Sequence, residues 1–219
     1  MKFRGHTLDL LGAILLAVLA MTPLPAWSTR NSFDSQIANF DKVSASLCRG
    51  AKPSPSGIQH LHESGIKTIV DLRRNDSDSQ NERKLAKCYG LNYFHLPMGY
   101  ASPSATTILT FLDVVCNPKY QPVFVHCRQG ADRTGTLVGI YRLLVQGWSW
   151  DETYKDMRNH NFKPWLVGLK NTVATFQYGL SSQNSNLSPP LVTIRHTVEA
   201  VIKSEHDRLL AGGYRHPGS

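Results

Sequence analysis

Residues 122–147 run Pro-Val-Phe-Val-His, then Cys-Arg-Gln-Gly-Ala-Asp, then Arg-Thr-Gly and a nearly unbroken apolar stretch to Gln146-Gly147. No other feature limits the fold as much. A strand at 122–126 is apolar on both faces and needs cover on both, and a helix over 133–146 is too apolar to face water. Such a strand feeding through a short turn into a buried helix is half of a βαβ unit. The rest of the chain agrees. Strands are expected at 45–49, 66–72 and 91–96. Between them, Ser54-Pro55 opens a helix that reaches His62 and ends near Gly65, and Ser79 with Glu82 has capping-box spacing for one that closes at Gly90. Ser102-Pro103 opens another, with Ile108, Leu109, Phe111, Leu112 and Val115 on its apolar face. A further capping box, Ser149 with Glu152, starts a helix to about Asn159, and helical segments are expected at 165–178 and 191–210. The alternation predicts an α/β fold, a central and mainly parallel sheet flanked by helices. In that architecture ligands bind where strands end and helices begin.

The chain starts differently. Lys2 and Arg4 precede an apolar run from Leu10 to Met21, followed by Pro23, Pro25 and the small-residue exit Ala26-Trp27-Ser28. Twelve apolar residues fall short of the roughly 20 that span a bilayer as a helix, so residues 1–28 read as an export signal cleaved after Ser28. An uncleaved anchor is the alternative. Cleavage removes Lys2, Arg4 and Asp9 and takes the net charge from +8 to +7 over 191 residues. The expectation is an exported, periplasmic or secreted protein with no stable membrane span after cleavage. Its parts would be a polar segment at 29–44, a folded domain at 45–180, a linker at 181–190, and a C-terminal helix and tail at 191–219. A composition of 41% hydrophobic residues excludes a disordered chain, and four cysteines are too few for a disulfide-built miniprotein.

The turn His126-Cys127-Arg128-Gln129-Gly130-Ala131-Asp132-Arg133-Thr134-Gly135 carries the chemistry. A loop curling onto a helix N-terminus aims backbone N–H groups inward and makes an anion nest. Gly130 lets the backbone turn where a side chain would obstruct it. The same field stabilises a thiolate, so Cys127 is the candidate nucleophile. Arg133 can hold two oxygens of a phosphoryl group at once, which lysine cannot.

These residues match the H-C-x5-R-[ST] signature of the cysteine-based protein tyrosine phosphatases. The sequence resembles their dual-specificity branch, most like the secreted bacterial members. Arg49–Ser54, Ile66–Arg73 and Tyr141–Trp148 resemble family segments in the same order, so the likeness covers roughly 45–165. It implies a tyrosine-phosphatase-like fold with the signature loop between a central strand and a buried helix. It also implies a phosphocysteine mechanism without metal or cofactor. Cys127 attacks phosphorus, Arg133 and the amides of Arg128, Gln129, Gly130 and Ala131 bind the oxygens, Thr134 stabilises the departing thiolate, and His126 braces the loop.

One departure stands out. Family members usually carry a general-acid aspartate after the strand that is 91–96 here, yet residues 95–112 contain no Asp or Glu. Asp132, beside Arg133, is the candidate acid, an arrangement similar to that of myotubularin-type enzymes; Asp76 and Asp78 are the runners-up. The implied substrates are phosphotyrosine, with phosphoserine or phosphothreonine, on a protein or a small phosphomonoester. Phosphoinositide or inositol phosphate hydrolysis is the enzymatic alternative, and a phosphate-binding module of low activity is the other. Sulfur transfer and arsenate reduction are disfavoured by Arg133-Thr134 ahead of a long buried helix. Nothing in the sequence sets the oligomeric state.

Other features read more plainly. Cys48, Cys88 and Cys116 are buried free thiols or include one disulfide, and the scattered histidines show no metal-ligand spacing. The charge lacks an Arg/Lys run interleaved with aromatics, which disfavours nucleic acid. Tyr100 either lines the pocket or covers a loop, and Lys163-Pro164-Trp165 is placed to border it.

Overall fold

A computed structural model describes residues 36–177 and 189–215. The leader and most of the linker lie outside the described residues, as do the side chains of Ile194, Val198 and Val201. Five strands form one sheet: β1 (Asp41–Lys42), β2 (Leu47–Ala51), β3 (Thr68–Asp71), β4 (Asn92–His95) and β5 (Val123–Cys127), in the order β1-β2-β5-β3-β4. All pairings are parallel except β1 with β2. Strand β5 is central, hydrogen-bonded to β2 and β3, with Ala51 beside Cys127 and Asp71 beside His126.

The helices are α1 (Pro55–Glu63), α2 (Ser77–Cys88), α3 (Ala105–Cys116), α4 (Asp132–Leu144), α5 (Trp150–Asn159), α6 (Val167–Ala174) and α7 (Pro189–Ala211). Side chains alternate across a strand, and β5 uses both faces. Val123, Val125 and Cys127 join the core built with Phe111, Leu112, Leu137, Tyr141 and Phe162. Phe124 and His126 take the other face, where His126 meets Glu82 of α2. Helix α7 packs on α3 and buries Ile202 and Leu209. No described helix is long and apolar enough to cross a membrane.

Several boundaries differ from the sequence reading. Helix α2 begins earlier: Asp76 caps it in a box with Ser79, accepting from Ser79 N at 2.8 Å. Glu82 is freed from capping and turns inward. Ser104 rather than Ser102 caps α3. The segment assigned as polar and N-terminal contributes β1 and the buried Ile37 to the body, and α7 starts at Pro189, inside the supposed linker. All four cysteines are free, so no disulfide links Cys48, Cys88 and Cys116.

Candidate active site

The cavity at the carboxyl end of β5 has a volume of about 170 Å³ and is lined by Tyr100, Cys127, Arg128, Gln129, Asp132 and Arg133. Helices α1, α2, α3 and α5 each spend a Ser or Asp side chain on their first amides. Helix α4 has Ala131 at its N-cap and no side-chain cap, so its amides and the positive end of its dipole face the cavity.

Gly130 makes the loop possible. Its φ is +68°, and a Cβ there would lie 2.5 Å from Gly50 O and 2.6 Å from Ala51 N. The loop therefore lies flat on the end of β2. Below it, the fully buried Arg49 donates from Nη2 to Gly130 O at 2.8 Å and faces Asp156 through Nη1 at 3.7 Å. Burial brings its pKa down to about 10, against the pull of Asp156. From the side, Asn39 (φ +57°) donates to Gln129 O at 3.3 Å and to His160 O at 3.0 Å. Lys163 completes the clasp. Its Nζ reaches Gln129 Oε1 at 3.0 Å and Asp132 Oδ2 at 2.8 Å, and its amide donates to Asp132 Oδ1 at 2.9 Å.

Burial raises the Cys127 thiol pKa, but the Thr134 hydroxyl and amide, the Arg133 charge and the Gln129 amide outweigh it and hold the thiol below its ordinary 9.0. Thr134 Oγ1 is buried with no other hydrogen-bond partner among the described residues. Arg133 is anchored by Nη1 to Leu72 O (3.3 Å) and Met98 O (3.4 Å), while its buried Nε has no hydrogen-bond partner among the described residues. A guanidinium fixed on one side and open on the other is ready for a tetrahedral anion.

His126 is fully buried, with Nε2 2.7 Å from Glu82 Oε1 and Nδ1 3.3 Å from the Cys127 carbonyl. Both ring nitrogens face acceptors. Burial works against a charged ring, yet Glu82, with Asp71 further off, raises its pKa above 6.5. Arg73 bridges Asp71 and Glu82 at 2.7 Å each, and Tyr93 donates to Asp71 Oδ2. Burial would raise the Asp71 pKa, but those bonds bring it to about 2. This carboxylate cluster and the one of Asp41, Asp156 and His160 each already hold a guanidinium: Arg73 in the first, Arg142 in the second.

Of the residues singled out in the sequence, Cys127, Arg128, Gln129, Asp132 and Arg133 come to the cavity wall. His126, Gly130, Ala131 and Thr134 shape the loop from behind. Asp76 is occupied as a helix cap, and Asp78 is exposed in a pair with Lys52 at 2.8 Å; neither lines the cavity. Tyr100 does, its ring 5.4 Å from the Arg133 guanidinium. Arg49, Asn39 and Glu82 were not anticipated as site residues. The one signal was Arg49 itself, a charge in the middle of a strand flanked by Leu47-Cys48 and Gly50-Ala51.

A cysteine thiol at a helix N-terminus with an arginine closing the nest defines a cysteine-based phosphatase, and the fold and comparisons place the chain in that superfamily. Residues 20–173 match the model of the family described as DSP-PTPase phosphatase fused to NAD+ kinase, and the chain belongs to that family. It is 28% identical over 159 residues to the dual specificity protein phosphatase TpbA of Pseudomonas aeruginosa, covering 69% of each chain. It is 28% identical over 130 residues to the inositol diphosphatase SIW14 of Saccharomyces cerevisiae, covering 57% of this chain and 46% of that one. The solved SIW14 catalytic core superposes with a TM-score of 0.58 at 26% identity, over 64% of this chain and 85% of that one. For solved TpbA the TM-score is 0.56 at 20% identity, over 74% and 91%. The protein is a phosphatase.

Proposed function

We propose that this chain is an exported phosphomonoesterase of the dual-specificity type, acting on phosphotyrosine and, more slowly, phosphoserine or phosphothreonine, through a phosphocysteine. One observation carries the reading: a thiol held below its ordinary pKa faces a cavity beside a buried Arg133 Nε that has no hydrogen-bond partner among the described residues. The phosphoryl group sits on the α4 amides with two oxygens on Arg133. Cys127 Sγ attacks phosphorus opposite the ester oxygen, the P–O bond breaks, and the alcohol leaves with a proton. Water then attacks the phosphocysteine, releasing inorganic phosphate and the thiolate, which Thr134 receives. Arg133 and the amides are fixed before reaction, so they stabilise charge as it spreads over the equatorial oxygens without reorganising.

Asp132 is the carboxylate at the cavity wall and our proton donor for the first step, with Lys163 orienting it. In that role Asp132 gives a proton to the ester oxygen as the P–O bond breaks. Asp132→Asn is expected to slow an alkyl phosphate by roughly 10²-fold or more and an aryl phosphate with a good leaving group far less. Equal losses on both, or none, would remove Asp132 from the role.

Protein substrates are supported by the dual-specificity relative, one structure of which holds phosphotyrosine. Inositol phosphates are the second reading, on the strength of SIW14 and an inositol diphosphatase of Arabidopsis thaliana. Side-by-side hydrolysis of phosphopeptides, phosphoinositides and inositol phosphates decides between them. Phosphopeptide binding without turnover would instead make the chain a binding module. Export rests on residues 1–28, and fractionation of cells expressing the full chain tests it; an intact leader in the cytoplasm would refute it.

A further inference from the structure

Successive carbonyls of the signature loop are each held from the side away from the cavity. Cys127 O lies 3.3 Å from His126 Nδ1, and Arg128 O accepts from Lys52 N at 3.4 Å. Gln129 O accepts from Asn39 Nδ2 at 3.3 Å and Gly130 O from Arg49 Nη2 at 2.8 Å. In a trans peptide the carbonyl and the following N–H point in opposite directions. A carbonyl tied down on the β2 side therefore turns the next amide towards the cavity. The Gln129 amide, turned this way, is a hydrogen-bond partner of Cys127.

Asn39 and Arg49 are 90 and 81 positions from the carbonyls they hold. Strand β2 brings both to the loop. Ala51 pairs with Cys127 across the sheet, and its amide donates to Ala38 O at 2.8 Å, which lays Asn39 against the end of β2. The Asn39 amide nitrogen has two hydrogens and spends them on two carbonyls, Gln129 O and His160 O. Arg49 is fully buried and runs under the first turn of α4, where a Cβ on Gly135 would lie 3.7 Å from its Nη2. With Asp156 facing its other terminal nitrogen at 3.7 Å, the guanidinium is fixed at both ends.

We propose that Asn39 and Arg49 are positioning residues for phosphoryl transfer, locking the 129–130 and 130–131 peptides with their N–H ends in the cavity before substrate arrives. This rests on the phosphatase reading above. Neither side chain touches substrate; each acts through a loop amide. A peptide left unheld can turn over and set its carbonyl against the phosphoryl oxygens, replacing attraction with repulsion. Held in place, it stabilises the transition state without reorganising.

The test measures kcat for an aryl phosphate, the Kd of inorganic tungstate by isothermal titration calorimetry, and the urea midpoint. Asn39→Gly keeps the left-handed backbone (φ +57°) and removes the donor. Asn39→Asp keeps the shape and sets a carboxylate against two carbonyls. The glycine variant is expected to lose about threefold to tenfold in kcat and in tungstate affinity, the worth of one hydrogen bond, and the aspartate variant more. Arg49→Lys keeps the charge but has one nitrogen where Arg49 uses two, and its kcat should fall about 10²-fold. Should that variant not fold, the Asn39 pair decides the matter. Urea midpoints that fall while kcat and Kd stay at wild-type values give both residues a purely structural role and overturn the proposal, leaving the phosphatase reading standing. Wild type that binds tungstate without turnover, with weaker binding in the variants, upholds the locked nest and overturns the phosphatase reading. Wild type that neither turns over nor binds tungstate overturns both.

Discussion

At the residue scale, Gly130 and Thr134 make the sharpest demands. A Cβ at Gly130 meets the β2 backbone at a φ of +68°, so Gly130→Ala carries about 1–2 kcal/mol of left-handed strain and about 1–3 kcal/mol of overpacking. It is expected to lower the urea midpoint and to remove activity, because the loop must lift off Gly50. Full activity would contradict the tight seat described for the loop. Thr134 acts on the nucleophile more gently. Burial opposes the Cys127 thiolate, and Thr134 is the first group that offsets it. Thr134→Ala should move the midpoint of the pH-dependent alkylation rate of Cys127 upward, towards 9.0, with phosphocysteine hydrolysis slowed. An unmoved midpoint would assign the stabilisation to Arg133 and the amides alone. Gly130 was legible in the turn itself, and Thr134 through the resemblance to the phosphatase signature. Asn39 was not. Its link to Gln129 spans 90 positions, and no local pattern encodes a bond of that reach.

Helix α2 shows where element-level reading fails. Ser79 and Glu82 have capping-box spacing, but Asp76 with Ser79 forms the box and Glu82 turns to the sheet. Spacing alone cannot rank two overlapping boxes; the buried cation does, because His126 and Arg73 both need Glu82. The strands and α4 were easier, their periodicity being set by burial on fixed faces. Removing one partner of a buried ion pair costs about 3–5 kcal/mol, so Glu82→Ala is expected to lose stability in that range. Glu82→Gln, which keeps a hydrogen bond to His126, should lose less. If neither variant changes stability, the Glu82–His126 pair has no bearing on the loop.

Over the whole molecule, the catalytic end of the sheet and its opposite end are stabilised separately. Under α7, Ser46 Oγ donates to the buried Glu205 at 2.7 Å, and Arg208 closes the same carboxylate. A cavity of about 530 Å³ there is bordered by Ser44, Ser46, Gln121, Pro122 and Tyr214. Cutting the chain before α7 exposes the side of α3 that carries Cys116. It should cost about 3–6 kcal/mol from Ile202 and Leu209 alone and make Cys116 react with thiol reagents; undiminished stability would show that α7 is not part of the body. Stability should also follow pH through the buried cluster. Asp71 titrates near 2 against an ordinary 3.8, so its contribution is complete above 3.8 and fades as pH falls towards 2. His126 has the opposite sign: its pKa is raised above 6.5, so its contribution is complete below 6.5 and fades as pH climbs through the raised value. Urea midpoints across pH 2–9, with His126→Gln flattening only the alkaline side, check both. The proposed reaction turns on one covalent bond, between Cys127 Sγ and phosphorus. Rapid acid quench of the enzyme during turnover of an aryl phosphate, followed by mass spectrometry, should find one phosphoryl group on Cys127 and none in Cys127→Ser, which should also lack turnover. Turnover that persists in Cys127→Ser, or a wild-type enzyme that turns over with phosphate on another residue, would contradict it.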